Sequence, residues 1–346
     1  MIMPNAIRDA SPDSWGRRVI LHQRTGFATD PDELDFLIES GSDRIGALDF
    51  QASATDYVPR GQVSASLNEL MTASERVENG IPLTPALELA LRHGTAIGGA
   101  RPKALIDEPN RKWIAKFSAS NDVSDVIRSE FVAMRLAKRC ELDVARVELR
   151  ETLGKGVLLI ERFDREPVGQ GRWLRRAMES ALTMLELDEM EARYASYEAL
   201  SEVIRQRFSR SRETLHELFG RLVFNILCGN TDDHARNHAA FWDGKALALT
   251  PAYDLCPQPR TGQIAGQAML IVGDRNDSRL ELCVEAAAQF HLREEEAKAI
   301  IRAQMDAIRG AWDEICDDAG MRPADRKALW GRQFFNPYAF EGWTEK

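Results

Sequence analysis

The sequence predicts an α+β protein of two lobes: a smaller mixed lobe with antiparallel sheet over residues 1–165 and a mostly helical lobe over 166–346. Three observations lead there. The chain has 346 residues, more than one ordinary domain holds. Hairpin signals concentrate between residues 94 and 163. Beyond Arg165 the apolar pattern turns helical.

The first 80 residues are weakly patterned. Within them "DELDFLIES" (32–40) reads as a short helix and "ASLNELMTASERVENG" (65–80) as a helix stopping at Gly80. "LTPALELALRH" (83–93) is a helix that Thr84 caps and whose first position suits Pro85. "GTAIGGARPKALI" (94–106) is a glycine turn running into an apolar stretch; "DEPN" (107–110) turns it back into "KWIAKF" (112–117). "SDVIRSEFVAMRLAKRC" (124–140) is a helix, and "VARVELRE", "GKG" and "VLLIERF" (144–163) make a second hairpin. In "TLHELFGRLVFNILCGN" (214–230) apolar residues hold the i, i+3, i+4 rule throughout, with Thr214 and Glu217 as a capping box and Gly229–Asn230 as the stop. A tight hairpin follows, "HAAFW" and "ALALT" around Asp243–Gly244, and the last 60 residues are largely helical.

Apolar residues make up 44 % and charged residues 29 %, with a formal charge of −9. Such a chain does not wrap DNA or lie on anionic lipid by net charge alone. No run of about 18 apolar residues marks a membrane span. The N-terminal stretch has no apolar core behind a basic head, so it does not read as an export signal. The five cysteines are scattered and none form C-x-x-C, which reads as reduced thiols in a cytoplasmic protein.

The stretch "GNTDDHARNHAAFW" (229–242) lies between the clearest helix and a hairpin, in a loop of the kind where chemistry commonly sits. Three readings stand side by side. Asp, Asn and Gly favour turns after helices, and the segment is then only that. His234 and His238 are four apart, a zinc spacing on a helix, but no Glu follows the first His and no cysteine completes the set. The third reading is phosphoryl transfer. Asp232 and Asn237 stand five apart, as do the base Asp and metal-binding Asn of a protein-kinase catalytic loop. Past the hairpin, Asp254 follows Asn237 by seventeen residues. Mg²⁺ takes oxygen ligands, which an Asn and an Asp supply, and a separate carboxylate must receive the acceptor's proton. Asp233 is a rival for that role, one residue short in spacing.

Two upstream residues fit the same chemistry. Lys116 sits inside an apolar strand; either its amine has partners or it lies on an edge strand and reaches water. Glu130 falls on the stripe of Val123, Val126, Ile127, Ala133, Met134 and Ala137. An unpaired carboxylate there is costly, so it requires a cation, with Lys116 the candidate, unless it lies at the stripe's edge. The glycines of "GTAIGGARPKA" let backbone N–H groups approach phosphate, although the segment is neither G-x-x-x-x-G-K-[ST] nor G-x-G-x-x-G.

With these residues the chain resembles the HipA-like serine/threonine kinase family, the toxin half of bacterial toxin–antitoxin pairs. Six stretches carry the resemblance, in family order: "PDSWGRR" (12–18), "GGARPKA" (98–104), "IAKF" (114–117), "ERFDR" (161–165), "GNTDDHARNHA" (229–239) and "TPAYDL" (250–255). The resemblance implies a two-lobed, protein-kinase-like fold using ATP and Mg²⁺. It implies Asp232 as catalytic base and Asn237 and Asp254 as Mg²⁺ ligands. It implies Lys116, backed by Glu130, and the loop residues Gly98, Gly99 and Ala100 on the ATP phosphates. The 161–163 segment, with Glu161 and Phe163, becomes the hinge against adenine, and His234 orients the loop. The implied substrate is a protein serine or threonine in a translation component such as an aminoacyl-tRNA synthetase. The implied partner is a HipB-like helix-turn-helix antitoxin, through which alone DNA is reached.

Two departures go with it. Family members carry a further N-terminal subdomain before the "PDSWGR" stretch, which here starts at residue 12. The expectation is a trimmed kinase, or a split system in which a separate small protein supplies that piece. Many members also have an autophosphorylated serine before the glycine loop; here Thr95 is the only nearby acceptor. Two other functions stay open: transfer to a small molecule or lipid head group, and an inactive kinase-like binding module.

Overall fold

Alternating apolar residues from 103 to 161 build a four-stranded antiparallel sheet in the computed structural model, which describes residues 3–23, 31–60, 65–92, 94–122, 124–260 and 262–344. Its strands are β1 (Lys103–Glu108), β2 (Arg111–Lys116), β3 (Val147–Thr152) and β4 (Lys155–Glu161), in the order β1-β2-β4-β3. Backbone contacts divide the chain into two units: Met1–Val123 with Arg146–Met178, and Ser124–Ala145 with Glu179–Lys346.

In the first unit the register sets Ala104 opposite Ala115 and Ala115 opposite Leu159. Side chains alternate across the strands, so Ala104, Trp113, Ala115, Val157 and Leu159 share one core with the helices Ser14–Gln23, Leu67–Glu78 and Pro85–Arg92. Trp15 seals it, its Nε1 donating to the Lys103 carbonyl at 2.9 Å. The predicted helices form. Asp32 and Asp35 make a capping box for Glu33–Glu39, Ser66 and Glu69 one for Leu67–Glu78, and Thr84 accepts from Leu87 N at 3.4 Å. His93 and Val123, included in two of the sequence patterns, lie outside the described residues.

Two elements differ from expectation here. Ser14–Gln23 is helical although the first 80 residues are weakly patterned, because its buried residues (Trp15, Gly16, Val19 and Ile20) are too few to mark a stripe. Residues after Arg165 do not turn helical at once: β5 (Arg165–Pro167) pairs antiparallel with β6 (Trp173–Arg175). Three-residue strands carry no readable period, and positive φ at Gly169, Gln170 and Gly171 closes the turn.

The second unit surrounds the helix Ser211–Cys228, whose Leu215, Leu218, Phe219, Leu222, Val223, Phe224, Ile226 and Leu227 are wholly buried. A helix apolar on nearly all sides belongs in a core. It stops at Gly229, at φ +71°, as expected. The Thr214–Glu217 capping box does not form, since the helix starts three residues earlier. Thr214 instead donates to the Arg210 carbonyl at 2.7 Å, and Glu217 accepts from Arg221 at 2.8 Å. The helix Val126–Arg139 belongs to this unit rather than to the 1–165 lobe, because its apolar side packs on the long helix Glu294–Asp318. Arg128 Nε fastens it by donating to the Ala319 carbonyl at 2.8 Å. The hairpin Ala239–Trp242 with Leu247–Leu249 forms as predicted around Gly244.

The cysteines are free thiols in packed positions. Burial pushes Cys140 up to about 12, and Cys316 reaches about 11. Among the described residues no helix is long and apolar enough to cross a membrane.

Candidate active site

The segment after the buried helix is held from several sides. Gly229 strongly favours glycine: besides its positive φ, a Cβ there would lie 2.6 Å from the Gln333 carbonyl oxygen. Asn230 donates to Asn225 Oδ1 at 2.9 Å, Gln258 N to the Gly229 carbonyl at 3.0 Å, and Ala268 N to the Thr231 carbonyl at 3.1 Å. Residues 235–237 then form a single 3₁₀ turn.

On this support the two adjacent aspartates have different fates. Asp233 is 1 % exposed. The Tyr197 hydroxyl donates to one of its oxygens, and His238 Nε2 lies 3.0 Å from the other. Burial alone would raise the Asp233 carboxyl, but His238 and Tyr197 more than reverse it and hold it below the usual range. Asp232 is exposed. Desolvation by its surroundings, with the charges of Asp254 and Asp233, pushes the Asp232 carboxyl up, while His234 opposes. Of the two rivals, only Asp232 has a carboxylate open to an incoming group.

Asn237 donates from Nδ2 to the Asp232 carbonyl at 3.1 Å, which leaves its amide oxygen as an acceptor. The 250–255 segment is tied to the same turn, for the Tyr253 hydroxyl donates to the Arg236 carbonyl at 2.7 Å. Arg221, buried in the central helix, donates to the Thr250 carbonyl at 2.9 Å. The next residue after Tyr253 is Asp254, at φ +59°. This conformation costs a non-glycine residue roughly 1–3 kcal/mol and clusters at functional sites. Asp232, Asn237 and Asp254 are thus gathered by one set of backbone ties. Among the described residues no three His, Cys, Asp or Glu side chains converge on a metal position. An amide oxygen beside one or two carboxylates fits the sparse, all-oxygen protein ligation of Mg²⁺.

The upstream residues are placed as follows. Lys116 ends β2, an inner strand, and is 7 % exposed, so the edge-strand reading fails. It lies opposite Leu158, on the sheet face away from the helix-covered core. Glu130, 1 % exposed in its helix, is not at the stripe's edge. Lys116 and Glu130 belong to different units. In the 98–100 loop Gly98 and Ala100 are exposed and Gly99 has φ +106°. Asp13 accepts from Gly99 N, and Lys103 Nζ donates to the Gly98 carbonyl. Glu161 N already donates to the Arg146 carbonyl and Arg162 N to the Lys112 carbonyl, both at 2.8 Å. A hinge at 161–163 therefore has to offer other backbone groups, near half-buried Phe163. Thr95 is fully buried; its hydroxyl donates to the Arg92 carbonyl at 2.8 Å and accepts from Gly41 N at 3.1 Å. Its phosphorylation requires the segment to leave this position.

Tyr197 was not singled out from the sequence, its partner lying 36 residues away. Asp13, Lys103 and His238 stood within quoted stretches, His238 as half of a zinc spacing, but none of them in the contacts seen here.

The fold is the HipA-like, protein-kinase type that the sequence predicts. The chain belongs to the HipA-like C-terminal domain family, which matches residues 95–312. It is 28 % identical over 167 residues to the Y4mE protein of Sinorhizobium fredii, whose name carries the word kinase, covering 47 % of this chain and 38 % of that one. It is 26 % identical over 178 residues to the serine/threonine-protein kinase toxin HipA of Shewanella oneidensis, covering 47 % and 41 %. The chain thus spans about two fifths of the length of these curated relatives. Among solved structures it is similar to a chain of the Shewanella oneidensis MR-1 complex of HipA, HipB and operator DNA, with a TM-score of 0.73. The identity is 19 %, over 97 % of this chain and 87 % of that one, a likeness of fold.

Proposed function

We propose that the chain is an ATP- and Mg²⁺-dependent serine/threonine protein kinase. The observation that carries this reading is the division of labour in the 229–239 loop: Asp233 is sealed by Tyr197 and His238, while Asp232 is exposed beside Asn237. In this reading the acceptor hydroxyl attacks the γ-phosphorus of ATP, ADP leaves, and the Asp232 carboxylate takes the hydroxyl proton. Lys116 and the N–H groups of Gly98, Gly99 and Ala100 hold the phosphates. The backbone near Glu161 and Phe163 faces the adenine. Asn237 and Asp254 would hold Mg²⁺, which neutralises phosphate charge when bound. The Tyr197–Asp233–His238 cluster keeps the loop in position.

The toxin role, a translation component as substrate, and a HipB-like helix-turn-helix partner are part of the same proposal. They are supported by the similarity to HipA toxins and to the complex with HipB and operator DNA. The formal charge of −9 favours DNA contact through that partner. The test is transfer from γ-labelled ATP with Mg²⁺ into proteins of a bacterial lysate, wild type beside Asp232→Ala. A labelled band present only with wild type is expected. Equal labelling by both proteins, or no ATP binding at all, would sink the reading.

A further inference from the structure

The β5–β6 hairpin forms a wall of a cavity of about 530 Å³ within the first unit. Small-molecule sites commonly have such volumes. Its lining includes Arg60, Lys112, Arg165 and Arg175, the carboxylates of Asp43 and Asp107, and Trp173. Four cations against two carboxylates give the cavity a positive wall in a chain of net charge −9.

The lining charges belong to a larger, mostly buried network. Lys112 Nζ is 2.6 Å from Asp43 and 2.9 Å from Asp107. Arg165 is 2.9 Å from both Asp43 and Asp164. Arg162 stands 3.1 Å from Asp43 and 2.8 Å from Asp164. Arg44 and Arg60 share the single carboxylate of Asp49, at 3.2 and 3.0 Å. Five cations therefore meet four carboxylates, and Arg175 is a sixth cation. Among the described residues no hydrogen bond or ion pair holds the Arg175 guanidinium. The excess is two positive charges, the charge of a phosphate monoester dianion.

The register sharpens the point. Arg175 is directly opposite Arg165 across the β5–β6 pair. Like charges in that relation repel and destabilise a hairpin, unless an anion bridges them. Burial first, and then the charges of Arg60 and Arg175 against the pull of Asp49, leave Arg44 at about 10. Burial and the charges of Arg162 and Arg175 likewise lower Arg165. The Arg165 donors are spent on Asp43, Asp164 and the Gly46 and Arg44 carbonyls, whereas the fork of Arg175 is open and matches phosphate oxygens in geometry as well as charge. Trp173, two residues before Arg175, lies on the same strand face, and its half-buried ring already accepts Lys112 Nζ at 5.5 Å from its centroid.

We propose that this cavity binds a small phosphorylated ligand with a planar body, its phosphate on Arg175 and its body against Trp173. None of the residues assigned above to phosphoryl transfer takes part, so the two proposals stand separately.

The experiment is calorimetric titration of the full chain with phenyl phosphate, inorganic phosphate and a phosphoserine pentapeptide. Phenyl phosphate is expected to bind saturably, roughly threefold more tightly than inorganic phosphate through its ring. Arg175→Gln should weaken both by about tenfold or more, and Arg175→Lys by less. Trp173→Leu should erase the preference for the ring. Asp232→Asn should leave binding unchanged, which separates this cavity from the candidate active site. Among the described residues Arg175 has no partner, and its charge opposes Arg165, so Arg175→Gln should melt no lower than wild type. Wild-type affinity in Arg175→Gln overturns the proposal, as does the absence of saturable phenyl phosphate binding. Peptide binding without phenyl phosphate binding overturns the small-ligand assignment.

Discussion

Two polar clusters, one in each unit, treat buried charge in opposite ways. In the 229–239 loop, Asp233 is matched by Tyr197 and His238, and the charge left over is an acid, Asp232, in the open. In the 43–175 network the carboxylates of Asp43 and Asp164 are saturated by arginines and Lys112, and the charge left over is a cation, Arg175. In both, sealed charges are structural, and the two proposals above place a ligand at the unmatched group. Adjacent residues of the same type, such as Asp232 and Asp233, thus cannot be assigned by type alone.

The sharpest way to break this comparison is to remove each aspartate of the loop in turn. Asp232→Ala should cut labelled-phosphate transfer by roughly 10²–10⁴-fold while leaving the urea midpoint unchanged. Asp233→Ala should do the reverse in kind, destabilising the fold by about 3–5 kcal/mol because Tyr197 and His238 lose their buried partner. An Asp233→Ala protein as stable as wild type would show that the cluster does not hold the loop.

In the other cluster, Asp164→Ala strands the buried Arg162 and Arg165 guanidiniums, and about 3–5 kcal/mol of stability should be lost in urea unfolding. The same network predicts a pH response. Burial pushes Asp43 and Asp164 up, but the arginines, with Lys112 at Asp43, hold both below the ordinary carboxylate range. A depressed folded-state value means the stabilisation is fully present above the unfolded value of about 3.9 and is lost as pH falls below it. The urea midpoint should therefore decline as pH drops below about 4, and a midpoint unchanged between about pH 5 and 3 would contradict the network's ionisation.

The smallest expected effect separates two glycines. Gly229→Ala meets both a positive φ and the Gln333 carbonyl, and should cost about 1–3 kcal/mol. Gly244→Ala, at φ +95° with nothing within 4 Å of the added Cβ, should cost only the backbone strain, about 1 kcal/mol. Equal thermal shifts for the two would mean that close packing around Gly229 is not what holds the loop.

Much of the fold was legible because local rules agree with tertiary need. Ser66–Glu69, the turn at Asp243–Gly244 and the apolar sides of Ser211–Cys228 carry their own instructions. The β5–β6 hairpin and the Ser14–Gln23 helix were not, being too short or too sparsely apolar to show a period. The Thr214–Glu217 box was misread because Ser211–Arg212–Glu213 join the helix and Glu217 is taken by Arg221.

The amino-acid sequence by itself determined the family motifs, their order, most of the strands and helices that bear them, and the spacing of Asp232, Asn237 and Asp254, since spacing within one chain constrains what each element presents. Only the tertiary structure left Asp232 open and sealed Asp233, buried Thr95, grouped the Glu130 helix with the second unit, and set Arg175 beside Arg165. Those outcomes depend on partners such as Tyr197, Gly41 and Asp43. Burial and pairing of charge are properties of contacts between segments distant in sequence, and no local pattern encodes them.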